Sequence, residues 1–550
     1  MKKMSKLLAV VLALGMLLSL GACGFQTQIP GLELTAVHPQ DFDSPAEYYH
    51  AVELRQAEGL LTLVNLALEA PAAPVSELFG QSELTLTLDQ TALKQDLLDL
   101  ITQAAGMDLS WAKSIGLATV VGLKDQLAQV NYAVHVNGGD VIHVEAQADL
   151  AASDVYVRVP ELSEQAFSLN LNEYFRQTYG MDLNELPSRL TILDPIACKD
   201  ILIRYFPLVI NALEKVEVTE GSVTAGGVES ACNIADVTVD GEAIIAVARA
   251  VLTTARDDGT VESLVYNILQ QNGSFTGSAE EFHAAYTQRI DEVLKSADEA
   301  DPEEAPFGLH MTVYIDAEGN ILGRTLEVLS EDELQALISF LTAADGSTTG
   351  LEVEIGSYNS NSYTYNGNTT SWEYQTVVRL SGSSTVSALT GGITGEYVMS
   401  LYELSDYNGD RDELAMDLFT AKLDGSLGLT GFQGELLLTP SEDLMNKLLD
   451  ELYGAPQPII DLVQSLTLAF VVGGDEQQAD CAAILRSDGA DLLTLRITAS
   501  PAEAFDISLP AQSITPDEWS NSLGAASLNA VINNLVAAGV PTEFLNAVLG

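Results

Sequence analysis

Hydrophobic and polar residues alternate over many short segments of the chain, and amphipathic stretches with helical spacing separate these segments. Strict alternation predicts half-buried strands, and apolar residues three or four positions apart predict helices. The clearest hairpin is Tyr132–Val144, where alternating runs flank the Gly138-Gly139 turn. Further alternating segments are Val155–Val159, Met311–Ile315 and Leu492–Thr498. Successive hairpins predict antiparallel sheets.

One sequence unit occurs four times: a short alternating strand, a capping residue and an amphipathic helix. The copies are Glu83–Leu88 into Asp89–Ile101, Val237–Val239 into Asp240–Leu252, Thr325–Leu329 into Ser330–Leu341, and Glu435–Leu438 into Thr439–Leu452. In two copies a glutamate follows the cap three positions later, as Glu333 follows Ser330, which is the capping-box pattern. The repetition predicts two related halves.

The predicted fold class is therefore α+β, with predominantly antiparallel β-sheets and amphipathic helices packed on their faces. An early helix is predicted from the capping residue Ser44 to about Glu69. Two terminal helices are predicted over 528–538 and 542–549, because Gly539 stops a helix and Pro541 precedes the next.

An acidic stretch suggests the domain boundary. Residues 291–304 contain seven acidic side chains and one basic one, and prolines stand at 302 and 306. Repulsion between like charges favours an exposed linker at 296–306, between an N-terminal α+β domain (44–295) and a C-terminal α+β domain (307–550) with a strand-rich centre and terminal helices. A solvated loop within one domain is the alternative.

Composition and charge narrow the class of protein. The 550 residues are 47% hydrophobic, enough to form sizeable cores, so a disordered chain is excluded. With 24 basic and 78 acidic residues, the formal net charge is −54. Nucleic acid is not expected as a partner, because binding it requires a basic surface.

The N-terminus has the features of an export signal. Lysines at 2, 3 and 6 precede an apolar run, Leu7–Leu20, that is too short to span a bilayer. It ends in Leu20-Gly21-Ala22-Cys23, which resembles the lipobox of bacterial lipoproteins. The resemblance implies a signal peptide over 1–22, acylation of Cys23 and a tether over 23–43. The mature protein would then be anchored by acyl chains to the extracytoplasmic face of the cell membrane. An ordinary secretory signal is the alternative.

The body of the chain resembles a loose group of uncharacterised bacterial lipoproteins, in which strand–helix units precede long hairpins. Val313–Asp316, Glu318–Asn320 and Ala538–Pro541 carry this resemblance. The resemblance to this group implies no activity for the chain.

Cysteine spacing leaves the thiol chemistry open. Beyond Cys23 the chain has Cys198, Cys232 and Cys481, so at most one internal disulfide can form. Cys198 with Cys232 is the favoured pair, and separate buried thiols are equally compatible with the sequence. No CxxC spacing occurs, so no zinc site is expected.

Other chemical motifs are incomplete. Ser110 and Lys113 have SxxK spacing without the partner motifs of a serine enzyme, and a surface helix is expected there. Asp406–Asp412 has alternating oxygen ligands, but Arg411 replaces the glycine of a calcium loop, so a polar hairpin turn is favoured. A two-residue turn at 138–139 would place His135 and His143 on opposite sheet faces, so no shared metal is expected. No catalytic residue or cofactor is predicted.

The segment 358–375 is rich in aromatic and amide side chains. An even-residue turn within 366–369 would pair positions whose numbers sum to 735, and Tyr363 would then face Trp372. One sheet face would carry Tyr363, Tyr365, Trp372 and Tyr374, on which a sugar or a protein partner could stack. Stabilisation of the hairpin itself is the alternative, and we favour it.

These observations give three hypotheses for function. The leading one is a lipid-anchored, non-enzymatic protein that binds a ligand, in one version a lipid-like molecule, or an envelope partner. The second is an adhesion or glycan-binding module acting through the aromatic hairpin 358–375. The third is a hydrolase whose site has no recognisable motif.

Overall fold

The fold is seen in a computed structural model that describes residues 35–69, 77–179, 195–271, 273–302, 308–330, 333–365, 368–387, 390–428, 431–475 and 477–549. The predicted signal peptide, Cys23 and residues 24–34 of the predicted tether lie outside the described residues. Antiparallel strand ladders dominate and helices pack beside them, which confirms the predicted α+β class.

Twenty strands and twelve helices are named here for the described residues. The strands are β1 (Glu77–Leu88), β2 (Ser114–Lys124), β3 (Leu127–Val136), β4 (Gly139–Asp149), β5 (Asp154–Arg158), β6 (Ala166–Asn170), β7 (Val216–Ala225), β8 (Val228–Val239), β9 (Gly308–Ile315), β10 (Ile321–Ser330), β11 (Glu333–Asp345), β12 (Thr348–Tyr365), β13 (Asn368–Val386), β14 (Gly392–Tyr407), β15 (Asp410–Gly428), β16 (Gly431–Pro440), β17 (Leu466–Gly474), β18 (Ala479–Ser487), β19 (Ala490–Pro501) and β20 (Ser513–Ile514). The helices are α1 (Pro45–Glu69), α2 (Gln95–Ala105), α3 (Leu171–Tyr179), α4 (Pro195–Asn211), α5 (Gly241–Arg256), α6 (Gly259–Gln271), α7 (Ala279–Asp298), α8 (Glu442–Glu451), α9 (Gln457–Ser465), α10 (Pro516–Ser522), α11 (Ala525–Ala537) and α12 (Thr542–Leu549).

The chain forms two compact units, each assembled from separate segments. Among the described residues, the first unit takes those that fall within 1–71, 187–385 and 397–417, and the second takes those within 72–186, 386–396 and 418–550. This division differs from the predicted boundary at 296–306, because β8 and β9 lie on either side of that stretch and pair with each other. Three of the seven acidic residues, Asp291, Glu292 and Asp298, belong to α7. Asp291 and Asp298 bind Arg256 and Arg249 there, and Phe282 of the same helix is buried.

In the first unit, β7 to β13 pair in chain order, each antiparallel to the next. β9 alternates buried Leu309, Met311, Val313 and Ile315 with partly exposed residues. Side chains of α1, α4 and α5 pack against this buried face and form the unit's main core. The alternation of apolar and polar residues along β9 therefore decides which face of the sheet the helices cover.

A buried ion pair lies within this core. Arg324 of β10 meets Glu53 of α1, with Nη1 to Oε1 at 2.5 Å and Nη2 to Oε2 at 2.8 Å. The side chains of Arg324 and Glu53 are only 3% and 1% exposed. Burial raises the pKa of the neighbouring Tyr49 phenol well above its usual value. Since two charges are removed from water, only their close bidentate geometry offsets the desolvation cost.

Helical structure follows the strand in three of the four predicted units. Asp240 caps α5, Asp89 caps a short 3₁₀ turn before α2, and Ser441, instead of the predicted Thr439, caps α8. The remaining prediction is wrong, because the helix expected over 330–341 is the end of β10 followed by β11. This strand pairs with both β10 and β12, and those two ladders outweigh the local helical pattern.

In the second unit the strand order is β16-β17-β18-β19-β1-β2-β3-β4-β5-β6, all antiparallel, and β20 adds to β6 in parallel. Strand β1 therefore joins the hairpins of the N-terminal segment to those near the C-terminus. The predicted terminal helices are present as α11 and α12, and Gly539 between them has a φ of 89°.

Candidate ligand-binding surface

One face of the second unit's sheet is apolar across six neighbouring strands. We call this surface the apolar face and define it by two rows of residues. The first row is Val472, Cys481, Ile497, Leu84, Leu117 and Val134; the second row is Phe470, Ala483, Leu495, Leu86, Ile115 and Val136. Each row crosses β17, β18, β19, β1, β2 and β3 in that order, so its members are cross-strand neighbours.

The apolar face is partly open to solvent. The exposed fractions are 51% for Ile115, 50% for Ile497, 42% for Leu495 and 40% for both Phe470 and Leu84. On β17 and β18 the alternate residues Ala469, Ala482 and Ile484 lie on the opposite face and are buried. Helix α9 contacts the end of β18, where the Ser465 and Ser487 hydroxyls are 2.8 Å apart.

The opposite face of β1 and β19 is polar. Glu83, Thr85, Arg496 and Thr498 alternate with the leucines and isoleucine of the apolar face. An antiparallel sheet with one wet side normally turns its polar face to water. Here the apolar face is exposed as well, and an exposed apolar area of this kind marks a site of interaction.

C-terminal elements contact the other end of the same sheet. The Trp519 ring of α10 lies 5.2 Å from the Phe167 ring of β6, whose register places it on the same side as the apolar face. Asn534 of α11 donates to the Val141 carbonyl of β4 at 3.0 Å. The apolar face is therefore an open area beside a covered end.

The twelve side chains of the apolar face include no charged group and no strong hydrogen-bonding group, although the chain carries a net charge of −54. Such a surface offers only dispersion and burial energy, about 1.5–3 kcal/mol for each large aliphatic side chain that becomes fully covered. Its chemistry therefore fits a hydrocarbon.

The sequence predicts strands at Glu83–Leu88 and Leu492–Thr498 but not that these two strands are neighbours. They stand near opposite ends of the chain, and only the β1–β19 ladder brings them together. The regular alternation of Leu84 and Leu86 with Glu83 and Thr85 was the available signal. That alternation predicts a two-faced strand and leaves open whether the apolar side is covered.

The aromatic hairpin lies in the first unit. The numbers of its paired residues sum to 733 instead of the predicted 735. Tyr363 therefore faces Thr370 and Trp372 faces Asn361, a shift of two residues from the predicted register. Because side chains alternate between the two faces of a sheet, a shift of two residues leaves each side chain on its predicted face. The four aromatic positions therefore still share one face. Trp372 is half-buried and Tyr374 is 49% exposed, whereas the side chains of Tyr363 and Tyr365 lie outside the description. Binding by this hairpin stays a prediction.

The prediction that His135 and His143 lie on opposite faces is wrong. The turn falls at Asn137 and Gly138, both with positive φ, and a bulge follows between Val134 and His135. The extra residue in β4 moves His143 to the sheet face that carries His135. Both imidazoles therefore contact Asp140. His135 Nδ1 is 2.7 Å from Asp140 Oδ1, and His143 Nε2 is 3.5 Å from Oδ2.

His143 is also held by Glu161. Glu161 Oε1 is 2.6 Å from His143 Nδ1, and its Oε2 accepts from the His143 backbone N–H at 3.0 Å. The hydrogen bond to Glu161 raises the pKa of His143. Burial opposes ionisation of Glu161, but the hydrogen bonds from His143 lower its pKa overall. Among the described residues, no group of three His, Cys, Asp or Glu side chains is arranged to hold a metal ion.

The remaining sequence motifs show no catalytic arrangement in the described residues. Ser110 lies in a loop instead of the expected helix, and its hydroxyl donates to Asp108 at 2.9 Å. The polar segment beginning at Asp406 forms the favoured turn, with positive φ at Asn408 and Gly409. Cys232 is a buried free thiol whose pKa is raised by burial, and Cys481 is an exposed free thiol. The Cys198 side chain lies outside the description.

No protein-family model and no curated protein matches the chain. Within the part of the chain that the structure describes, no helix has both the length and the apolar character required to cross a membrane.

Proposed function

We propose that this chain is a lipid-anchored, non-enzymatic binding protein of the extracytoplasmic membrane face, and that it holds the hydrocarbon part of a lipid-like ligand on the apolar face. The observation that carries the proposal is the exposure of two uncharged rows of side chains across six strands. The lipobox resemblance at Leu20–Cys23 supports the location.

The dimensions of the face suit an acyl chain. Neighbouring strands lie about 4.8 Å apart, so six strands span roughly 24 Å. One leaflet of a bilayer core is about 15 Å thick, half of the full hydrocarbon thickness. A chain of that length can lie along one row, between the side chains of β18 and β2, and remain in contact with apolar atoms throughout.

A hydrocarbon fits this surface better than a protein partner does. Protein interfaces are enriched in Tyr, Trp and Arg at their centres and have a polar rim that forms hydrogen bonds. The centre of the apolar face consists of Leu84, Leu86, Leu495 and Ile497, which are aliphatic and have no hydrogen-bonding group. The proposed occupant is therefore an acyl chain.

The test is the lipid content of the purified protein. A Cys23→Ala variant, which removes the covalent anchor, is purified without detergent, extracted with organic solvent and analysed by mass spectrometry. We expect extractable lipid in this background and its loss when Leu495→Glu is added, because a carboxylate on the apolar face must be desolvated by any hydrocarbon.

The matched control is Thr494→Glu, which places the same charge on the polar face of the same strand. It should retain the lipid. An extract without lipid, or equal lipid in both glutamate variants, would overturn the proposal and favour the glycan-binding or hydrolase hypotheses.

A further inference from the structure

A strap covers part of the polar face of the second unit's sheet. The strap is the irregular segment 502–512, which connects β19 to β20. Beneath it lies a cleft of about 660 Å³ whose floor is formed by Glu145 and Gln147 of β4 with Tyr156 and Arg158 of β5. The floor side chains are cross-strand neighbours, Glu145 with Arg158 and Gln147 with Tyr156.

The strap is fixed at both ends, which holds the cleft open. At the upstream end the Phe505 ring packs edge-on against Phe79, with centroids 5.0 Å apart, and covers Gly122. At the downstream end Ser513 and Ile514 pair with β6, and the Ser513 hydroxyl lies 2.9 Å from the Ser168 hydroxyl. Between these anchors the chain bridges the floor instead of collapsing onto it.

The strap presents free backbone groups. Between Glu503 and Gln512, all within the described residues, no backbone N–H or C=O pairs with another backbone group. Backbone polar groups need hydrogen-bond partners, supplied by water or by a ligand. The cleft volume falls within the range typical of small-molecule sites.

The floor is polar and internally neutralised. Arg158 Nε donates to Glu145 Oε2 at 2.8 Å, so this cation and this anion satisfy each other's charge. Gln147 adds an amide with both donor and acceptor atoms, and Tyr156 adds a flat ring with a hydroxyl. Hydroxyl groups, which both donate and accept, can pair with any of these atoms and with either kind of strap backbone group.

From this combination we propose that the cleft binds a short, uncharged oligosaccharide. The site is separate from the apolar face, since its floor lies on the opposite side of the same sheet. Tyr156 supplies a stacking surface, Gln147 and the Glu145–Arg158 pair supply directional hydrogen bonds, and the strap closes over the ligand.

The test is calorimetric titration of the Cys23→Ala chain with the neutral disaccharides maltose, cellobiose and chitobiose. We expect at least one to bind with a dissociation constant below about 1 mM, and Tyr156→Ala to weaken that binding at least tenfold. Gly122→Ala should also weaken it, because a Cβ there would come within 2.5 Å of Phe505 and displace the strap's anchor.

The control is Trp372→Ala, which alters the aromatic hairpin and should leave disaccharide binding unchanged. Loss of binding in Trp372→Ala with retention in Tyr156→Ala would move the glycan site to the hairpin and overturn the proposal. No binding of any disaccharide at about 10 mM would also overturn it. Lipid content, measured separately, should not change in Tyr156→Ala.

Discussion

Ala469 and Phe470 are consecutive residues of β17, yet Ala469 is fully buried while Phe470 is 40% exposed. The smaller side chain packs with Ala482 and Ile484 on the opposite face, and the larger aromatic one lies on the open apolar face. Burying an aromatic ring stabilises a fold far more than burying a methyl group, so this arrangement is costly for a protein without a ligand. It is the arrangement expected of a surface that an apolar molecule covers.

The buried Glu53–Arg324 pair should control the stability of the first unit. Glu53→Gln or Arg324→Met should each lower the free energy of unfolding by about 3–5 kcal/mol, because each leaves a buried group without its partner. Denaturant unfolding measures the loss. Replacing both residues, with Glu53→Leu and Arg324→Met together, should recover much of it.

Arg289→Ala provides the control for that experiment, since it removes an exposed ion pair with Glu292 on the surface of α7. It should leave the unfolding midpoint unchanged. A loss below about 1 kcal/mol for either buried substitution would contradict the assigned role of the Glu53–Arg324 pair.

Stability should depend on pH through His143 and Glu161. The pKa of His143 in the folded protein is raised above 6.5, so its contribution to the free energy of unfolding is complete below pH 6.5. This contribution is lost as the pH rises through the pKa of His143 in the folded protein. The pKa of Glu161 is lowered from 4.5, so its contribution is complete above 4.5 and is lost as pH falls through the folded value.

The stability difference between wild type and Glu161→Gln should therefore be largest between pH 4.5 and 6.5 and shrink on both sides. Denaturant unfolding at several pH values, with an NMR titration of His143, measures this difference. Glu262→Gln, which removes the partner of the exposed His283, is the control. A difference that stays constant from pH 4 to 9 would argue against the pair.

The export prediction is tested at Cys23. If this residue is acylated, the wild-type protein fractionates with membranes, and Cys23→Ala shifts it to the soluble fraction or leaves an uncleaved precursor. Cys481→Ser is a matched control and should stay with the membranes. Membrane retention of a cleaved wild-type chain without acyl mass at residue 23 would contradict the prediction.

The sequence predicted strands, turns and most helices because these depend on neighbouring residues. Gly138 identified a hairpin, and Asp240 identified the start of α5. The errors arose where pairing between strands decided the outcome. The segment beginning at Glu333 became β11 because it pairs with β10 on one side and β12 on the other. The bulge beside His135 adds one residue to the hairpin, and this places His143 on the sheet face opposite to the predicted one.

The candidate site was beyond sequence reasoning for the same reason. Leu84 and Ile497 face each other only because β1 inserts between β19 and β2. Alternation identified each as one side of a strand, but whether that side is exposed is a property of the assembled sheet. By contrast, Leu20–Cys23 is a local segment, and its resemblance to a lipobox could be proposed from sequence alone.

The most direct test of the central claim is a fluorescent probe on Cys481, which lies on the apolar face between Val472 and Ile497. Cys198→Ser and Cys232→Ser, in the Cys23→Ala background, leave Cys481 as the labelled thiol. A matched protein carries Cys481→Ser with Asp480→Cys, which places the probe on the opposite face. Both are titrated with phosphatidylcholine, and emission is recorded. We expect a saturable blue shift for the probe at 481 and none for the probe at 480. No shift at 481, or equal shifts at both positions, would overturn lipid binding on the apolar face.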